Sequence, residues 1–366
     1  MTIARMTGRR WSGFGGLNDL KPSALQMSRL QPLPTFGDNP GNLVAKIFVP
    51  DSLARGAPLV VVLHGCTQNG IGYDHGTGWS DLAERHGFVA LFPEQQRANN
   101  ANLCFNWFEP GDMRRGGGEP ASIRQMIDHV VSAHGIDETR IFVTGLSAGG
   151  AMAGVMLATY PELFAGGGLI AGLPYGVARS IPSAMQRMRS GGGDTGEALG
   201  AMVRNASDHG GPWPQISIWH GTSDATVNVA NADATVAQWL DVHGLAKDAG
   251  LSDIVDGYPH QMWRNADGRV VVEEYSITGM GHGAPLDTGP IDGCGKSGAL
   301  LLDVGISSTQ HLAQFWGLAD HVLPPVRMRD QPVVTGDVPS QTPIRTNGND
   351  VQQIIEDALR SAGLMR

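Results

Sequence analysis

The sequence contains few cysteines and no long apolar run, and both absences narrow the class of protein. Only Cys66, Cys104 and Cys294 occur among 366 residues, so a framework of several disulfides is excluded and one bridge is the maximum. No stretch of about 18 apolar residues is present, which predicts that the chain has no transmembrane helix. The spacings typical of zinc sites, Cys-x-x-Cys and His-Glu-x-x-His, are also absent. We therefore expect neither a metal nor a cofactor.

Positive charge is scarce as well. The chain has 26 lysines and arginines against 35 acidic residues, a net charge of −9 with no basic block, so nucleic acids and anionic membrane surfaces are not expected partners. Arg9 and Arg10 are followed by Trp11 and several glycines rather than by the apolar core of a signal peptide. This predicts a cytoplasmic location, or a secreted one if a leader has been removed. No pattern indicates an oligomeric state.

Strand and helix patterns alternate through the middle of the chain. Residues 57–65 form a continuous apolar run typical of a buried strand, and residues 119–134 carry apolar side chains at helical spacing. Strand patterns recur at residues 140–144, 216–219 and 270–277. The alternation predicts an α/β protein with a mostly parallel sheet covered by helices on both faces. Such sheets bind their ligands at the carboxyl ends of the strands.

Changes in composition predict the domain organisation. Residues 1–40 are polar and proline-containing, which predicts an N-terminal arm, and residues 41–322 are expected to form one catalytic domain. Residues 172–214 interrupt the alternation and are interpreted as an insertion, either a cap over the pocket or a long loop. Residues 323–366 predict a Pro-rich tail that ends in an amphipathic helix. That helix is expected to dock on the domain, with binding to a partner as the alternative.

The segment Gly145-Leu-Ser147-Ala-Gly149 is the strongest indication of chemistry. It follows a β-branched and aromatic run and precedes small helix-forming residues, which is the sequence form of a nucleophile elbow. A strained strand-to-helix turn leaves almost no room for neighbouring side chains, and glycines meet that demand. Ser147 is therefore the candidate nucleophile. The alternative is a Gly/Ser turn that only caps a helix.

A serine hydroxyl needs a base to activate it, and His282 is the candidate. It lies between glycines directly after the strand pattern at residues 270–277, on a loop from which an imidazole can reach the serine. The alternative is a histidine on a surface loop. The other histidines that follow Ser147 lack this context: His209, His220, His243, His260, His311 and His321.

The base in turn needs a carboxylate that orients it, and Asp224 is the candidate. It lies in a turn just after residues 216–219, and Ser, Asp, His is the chain order of α/β-hydrolases. Asp287 and Asp303 are rivals, and an aspartate that merely caps the turn is the alternative.

The oxyanion of an acyl-transfer intermediate needs two preorganised backbone donors. We expect one from the N–H of Ala148, directly after the nucleophile. The N–H of Cys66, in the loop that follows residues 57–65, is the candidate for the other. Only the backbone of Cys66 is invoked, so its thiol need not take part in the chemistry, and a small buried apolar filler is the alternative for this residue.

Together, these stretches resemble the polyhydroxybutyrate depolymerase-like esterase family of α/β-hydrolases over roughly residues 44–317. The resemblance rests on the following segments: Leu63-His-Gly-Cys-Thr-Gln68, Phe92-Pro-Glu-Gln95, Cys104-Phe-Asn-Trp-Phe108, Gly145-Leu-Ser-Ala-Gly-Gly-Ala151, His220-Gly-Thr-Ser-Asp224 and Gly279-Met-Gly-His282. It implies an α/β-hydrolase fold, a triad of Ser147, Asp224 and His282, and an oxyanion hole at Cys66 and Ala148. It also implies a Cys66–Cys104 disulfide.

The resemblance implies a serine esterase that hydrolyses 3-hydroxybutyrate-type polyester or oligoester bonds through an acyl-enzyme. The short tail favours an oligoester or amorphous polymer over crystalline granules. A feruloyl or acetylxylan esterase, or a generic short-chain carboxylesterase, is the alternative within this chemistry. A peptidase of the same fold is a further alternative, and a non-catalytic binding protein is the alternative from another class.

Four residues are candidate substrate contacts. Trp107 and Trp219 lie near predicted strand ends and are candidate walls of an acyl pocket, with packing in the core as the alternative for each. Gln68 and Asn106 are candidates either for contacting the ester or for bracing the loops.

Overall fold

The computed structural model describes residues 28–289 and 293–320. The strands of this part are, in chain order, β1 (Gln31–Pro32), β2 (Val44–Phe48), β3 (Leu59–Leu63), β4 (Val89–Glu94), β5 (Ile141–Leu146), β6 (Gly166–Ile170), β7 (Gln215–Gly221), β8 (Leu251–Val255), β9 (Tyr258–Arg264), β10 (Val270–Ile277), β11 (Ala284–Leu286) and β12 (Leu301–Asp303).

The α-helices of the same ranges are α1 (Gly70–Thr77), α2 (Trp79–His86), α3 (Gly118–His134), α4 (Ala148–Thr159), α5 (Ile181–Ser190), α6 (Gly196–Arg204), α7 (Ala230–His243) and α8 (Ser308–Phe315). Short 3₁₀ turns lie at Pro161–Leu163 and Lys247–Ala249. In the described ranges, no helix combines the length and the apolar character needed to cross a membrane.

Ten strands form one sheet in the order β1-β2-β4-β3-β5-β6-β7-β10-β9-β8, and β11 pairs with β12. The pairs β4–β3, β3–β5, β5–β6, β6–β7 and β7–β10 are parallel. Antiparallel strands complete the sheet on both sides: β1 and β2 at one edge, β9 and β8 at the other. The mostly parallel α/β-hydrolase sheet predicted from the sequence is confirmed.

The two faces of this sheet carry separate hydrophobic cores, as β3 illustrates. Leu59, Val61 and Leu63 belong to one core, and Val60 and Val62 to the other. Side chains of α3, α4 and α7 fill the first core, and side chains of α2 and α8 fill the second. Because both faces are covered, the strand is apolar at every position rather than at alternate ones.

The chain between β6 and β7 forms α5 and α6, which both pack against α7. This is the segment interpreted as an insertion, and its role as a cap stays a prediction. The tail at residues 323–366, with its amphipathic helix, lies outside the described residues, as do residues 1–27 of the N-terminal arm. Of the rest of that arm, β1 pairs with β2 at the sheet edge.

Candidate active site

Ser147 occupies a strained turn between β5 and α4. Its φ of 57° and ψ of −116° lie outside the regions that ordinary side chains adopt. A Cβ on Gly149 would lie 2.3 Å from the carbonyl oxygen of Leu63, and one on Gly145 would lie 2.4 Å from the carbonyl oxygen of Gly149. Both positions therefore require glycine, and the nucleophile elbow has the geometry that the sequence predicts.

The structure brings Ser147, His282 and Asp224 into one hydrogen-bonded chain. The Oγ of Ser147 lies 2.9 Å from Nε2 of His282, and Nδ1 of His282 lies 2.7 Å from Oδ2 of Asp224. All three residues are buried. With its proton on Nδ1, the imidazole donates to the carboxylate and accepts from the serine hydroxyl through Nε2. This is the arrangement in which a histidine acts as a general base.

Asp224 is enclosed by donors. Its Oδ1 accepts the backbone N–H groups of Thr226 and Val227, each at 2.8 Å, while Oδ2 faces His282 and also lies 3.4 Å from Nε2 of His220. Burial by itself would raise the pKa of Asp224, but the hydrogen bonds from His220 and His282 hold it well below its usual range. The carboxylate is therefore ionised at neutral pH.

The loops that carry Asp224 and His282 are tied to each other. They follow the parallel neighbours β7 and β10, so both emerge at the same edge of the sheet. The N–H of Ser223 donates to the carbonyl of Met280 at 2.9 Å, and the N–H of Gly279 donates to Oγ1 of Thr222 at 2.9 Å. These bonds fix the distance between the acid turn and the histidine loop.

The rival aspartates have other partners. Oδ1 of Asp287 accepts the N–H of Gly289 at 2.9 Å, and Asp303 accepts the hydroxyl of Thr288. Within the described ranges, no hydrogen bond joins either carboxylate to His282.

The loop after β3 lies beside the elbow because β3 and β5 are parallel neighbours in which Leu63 pairs with Gly145. Gly65 donates its N–H to Oε1 of Gln68 at 2.9 Å, which closes the loop. A disulfide joins Cys66 to Cys104, as the family resemblance implies. The disulfide ties this loop to the segment that follows β4.

A buried polar network, which the sequence analysis missed, supports that second segment. Oε2 of Glu119 accepts the backbone N–H of Asn106, and Oε1 accepts the side-chain amide of Asn106, both at 2.9 Å. Oε1 also accepts the amide of Gln95. Burial, with a smaller contribution from the charge of Asp112, raises the pKa of Glu119 to about 8. In the sequence, Glu119 is an acidic residue in the first turn of a helix, which is common at helix starts. The sequence therefore gives no indication that Glu119 belongs to a buried network.

The same network reaches the loop after β3 through His64. Its Nε2 accepts the backbone N–H of Gln95 at 3.1 Å, and its Nδ1 donates to the carbonyl of Gly65 at 2.8 Å. Burial lowers the pKa of His64, which favours the neutral ring that this pattern requires. In the sequence, His64 is only one residue of a motif, and its bracing role emerges from the structure.

The candidate substrate contacts separate into different roles. Gln68 and Asn106 brace loops through the hydrogen bonds described above. The prediction for Trp219 is wrong: the side chain is 0% exposed, its ring stacks on Tyr275 at 3.7 Å, and Nε1 donates to Oγ of Ser217 at 2.8 Å. Its place inside β7, on a face that helices cover, puts it in the core. Trp107 is buried against Phe108, and its contact with substrate stays a prediction.

The four elements of the site lie at the carboxyl ends of β3, β5, β7 and β10, which supply Cys66, Ser147, Asp224 and His282 in turn. The fold and this geometry define the class of the protein, an α/β-hydrolase with a Ser–His–Asp arrangement. The chain belongs to the Esterase PHB depolymerase family, whose model matches residues 44–255. It is a carboxylic-ester hydrolase.

Comparison with known proteins gives relatives of related activities. The chain is 48% identical over 301 residues to poly(3-hydroxyalkanoate) depolymerase C of Paucimonas lemoignei, an alignment that covers 82% of this chain and 72% of the relative. It is 30% identical to feruloyl esterase B of Talaromyces funiculosus, with 73% and 76% covered. Among solved structures, acetyl xylan esterase from Aspergillus awamori has a TM-score of 0.67 at 27% identity, with 79% of this chain and 99% of that chain covered.

Proposed function

We propose that the protein is a serine esterase that hydrolyses 3-hydroxybutyrate-type polyester or oligoester bonds through an acyl-enzyme. The hydrogen-bonded chain from Ser147 through His282 to Asp224 carries the proposal, because it supplies nucleophile, base and orienting acid in one line. The 48% identity to a poly(3-hydroxyalkanoate) depolymerase supports the substrate class.

In the first half of the reaction, Ser147 attacks the ester carbonyl while Nε2 of His282 takes the hydroxyl proton. The imidazolium then gives this proton to the departing alkoxide, which leaves as the hydroxyl end of the shortened chain. In the second half, His282 deprotonates a water molecule that attacks the acyl-enzyme. A hydroxyalkanoate acid is released, and Ser147 regains its proton. Asp224 stays ionised throughout and stabilises the imidazolium.

The backbone N–H groups of Ala148 and Cys66 are our proposed oxyanion donors. Ala148 is the first residue of α4, where free N–H groups and the helix dipole favour negative charge. Cys66 follows β3 in the loop that Gln68 and the disulfide to Cys104 hold beside the elbow. Donors fixed in advance stabilise the oxyanion without reorganisation during the reaction.

A feruloyl or acetylxylan esterase is the second candidate function. The likeness to feruloyl esterase B and to the acetyl xylan esterase structure favours it. The same three residues would run the same chemistry, and only the acyl and alcohol pockets would differ. Residues 172–214, with α5 and α6, are a candidate source of that difference.

The test compares the wild-type protein with Ser147→Ala on a 3-hydroxybutyrate oligomer, methyl ferulate and p-nitrophenyl acetate. We expect turnover of the oligomer well above the other two, and loss of all turnover in the variant. A preference for ferulate would indicate that the substrates are plant cell-wall esters rather than hydroxyalkanoate esters. Hydrolysis of acetate alone would reduce the function to a generic esterase, and undiminished turnover in Ser147→Ala would refute the nucleophile.

The Cys66–Cys104 disulfide also bears on location. Disulfides persist in oxidising compartments and are rare in the cytosol, so we propose an oxidising compartment in place of the cytoplasm. Thiol labelling of protein isolated under denaturing, non-reducing conditions tests this. We expect only Cys294, the free cysteine, to react. Labelling of all three thiols would contradict the proposal and indicate a reducing compartment.

A further inference from the structure

His220 is a second histidine at the triad acid. It lies near the end of β7, is 2% exposed, and its Nε2 lies 2.8 Å from the carbonyl oxygen of Val227 and 3.4 Å from Oδ2 of Asp224. A carbonyl oxygen can only accept a hydrogen bond, so Nε2 carries the proton and donates. In the sequence, His220 lacks the loop context of a catalytic base, and it takes no part in the mechanism above.

We propose that His220 is a positioning residue for the triad acid, whose Nε2–H bridges Val227 and Asp224 and fixes the carboxylate in the orientation that His282 requires. The inference rests on the proposed function, since it concerns the same triad. His220 acts through Asp224 and has no contact with the reacting serine in the structure described.

The bridge closes a small ring of hydrogen bonds. Val227 donates its N–H to Oδ1 of Asp224 and accepts the imidazole N–H of His220 through its carbonyl. Oδ2 of Asp224 is thereby shared between His220 and His282. Without the His220 donor, a buried carbonyl would lose its hydrogen-bond partner, and Oδ2 would be held from one side only. Each such loss is costly in a buried site.

Sharing the carboxylate also sets how strongly it attracts a proton to His282. A donor on Oδ2 withdraws part of the negative charge that would otherwise face the imidazole of His282. Another charged group near His220 is Glu274, on the neighbouring strand β10, which also interacts with Asp233 and Lys247. Glu274 itself feels the charge of His220, so the comparison of His220→Leu with His220→Gln, which keeps a donor, is needed to assign a change in the protonation of His282 to the loss of the His220 donor.

The experiment compares His220→Leu, which removes the donor, with His220→Gln, whose Nε2 amide can take the position of the ring Nε2–H. His243→Leu is the matched control, because Nε2 of His243 also meets a backbone carbonyl, that of Pro214 at 3.0 Å, but has no triad partner. The readouts are kcat and KM over a pH series on the preferred ester of the wild-type protein. An NMR titration of the His282 ring is the readout that needs no turnover.

For His220→Leu we expect kcat to fall about tenfold with KM unchanged, the equivalent of losing one charge-assisted hydrogen bond. We also expect the acid limb of the kcat/KM profile and the His282 titration to move to higher pH. His220→Gln should restore kcat and the pH positions of the acid limb and of the His282 titration, and His243→Leu should leave all three at their wild-type values.

Two outcomes would overturn the inference: wild-type behaviour in His220→Leu, or a loss of stability and kcat with the acid limb and the His282 titration unmoved. If His220→Leu does not fold, His220→Asn takes its place, because its shorter side chain does not reach the Nε2 position. A wild-type protein that hydrolyses no ester refutes the proposed function. In that case, the His282 titration still decides whether His220 governs the triad.

Discussion

Asp224 accepts hydrogen bonds from two backbone amides and faces two imidazole rings, so all directions around its buried carboxylate are occupied. A carboxylate enclosed in this way holds its charge and its orientation together. At the residue scale, the candidate site therefore depends as much on what surrounds the acid as on the acid itself.

Asp224→Asn is the most direct test of the acid. The amide would present an N–H or a carbonyl dipole to Nδ1 of His282 instead of a full charge, which disfavours the required tautomer. We expect kcat to fall by roughly 10³–10⁴ with the fold intact, measured by steady-state kinetics alongside circular dichroism. Asp303→Asn is the matched control, since Asp303 bonds to Thr288 and not to His282. Near-normal turnover in Asp224→Asn would show that another residue is the acid that orients His282.

At the scale of single elements, the elbow is a tight junction between α4 and β3. The start of α4 packs so closely against the end of β3 that a Cβ on Gly149 would lie 2.3 Å from the carbonyl oxygen of Leu63 and 2.5 Å from that of His64. A backbone carbonyl cannot relieve such a contact by changing rotamer, as a side chain can. The contact therefore couples the position of Ser147 directly to that of the loop after β3, which contains Cys66.

Gly149→Ala should push the start of α4 away from the end of β3. The added Cβ would lie 2.3 Å from the oxygen of Leu63, and we expect a loss of about 1–3 kcal/mol in the free energy of unfolding, together with a fall in kcat. Gly154→Ala in the same helix is the control, because its nearest contact would be an ordinary 3.9 Å. That variant should gain about 0.5–1 kcal/mol. Urea unfolding and kinetics of both variants measure the difference, and equal stabilities would contradict the packing argument.

The antiparallel strands at one edge of the sheet carry an ionic row of their own. His260 on β9 lies between Asp253 on β8, with Nδ1 to Oδ1 at 2.7 Å, and Glu273 on β10, with Nε2 to Oε2 at 3.3 Å. Burial would lower the pKa of His260, but the hydrogen bonds and charges of Glu273 and Asp253 raise it above the ordinary 6.5. The protonated histidine thus links three strands.

A raised pKa in the folded state makes stability depend on pH. The contribution of His260 is fully present below the unfolded pKa near 6.5 and is lost as pH rises through the higher folded value. We therefore expect His260→Gln to lose stability relative to wild type at pH 6 and to lose less at pH 9, as measured by urea unfolding. His75→Gln, at an exposed position on α1, is the control. A deficit in His260→Gln that does not vary with pH would contradict the assignment.

At the scale of the whole molecule, the Cys66–Cys104 disulfide and the network at Glu119 hold the loop after β3 to α3, although these residues are far apart in the chain. The bridge closes a loop with a sequence separation of 38. Closing a loop of that size restricts the unfolded chain and stabilises the folded one by about 3–4 kcal/mol in the chain-entropy model.

Reduction should therefore affect stability and activity together. We expect dithiothreitol to lower the melting temperature and kcat of the wild-type protein, because the loop that carries the Cys66 N–H loses its tether. The double variant Cys66→Ser, Cys104→Ser should show both losses without reductant and no further response to it. Cys294→Ala, which removes the free thiol, should respond to reductant as the wild type does. A wild-type protein indifferent to reductant would show that the network at Glu119 is sufficient to hold the loop.

Some elements were beyond the reach of sequence patterns. Sequence patterns predict no strand at Gly166–Ile170, since three consecutive glycines have little tendency to form one. In the structure, a Cβ on Gly167 would lie 2.4 Å from Leu157, and one on Gly168 would lie 2.6 Å from Leu312. Side chains from both faces press on β6, so tertiary packing selects glycine there. The burial of Trp219 has a related cause: β7 lies in the interior of the sheet with both faces covered, and only the order of strands in the sheet decides that.

The sequence by itself determined the α/β class, through the alternation of apolar runs and helical periodicity, and the order of Ser147, Asp224 and His282. These signals are local: they depend on backbone strain at the elbow and on residue types placed just after strands. Only the tertiary structure decided which groups meet, such as His220 with Asp224, or Glu119 with the loop of Cys104. Such contacts depend on the order of strands in the sheet, which hydrophobic packing of the whole chain determines and no short segment encodes.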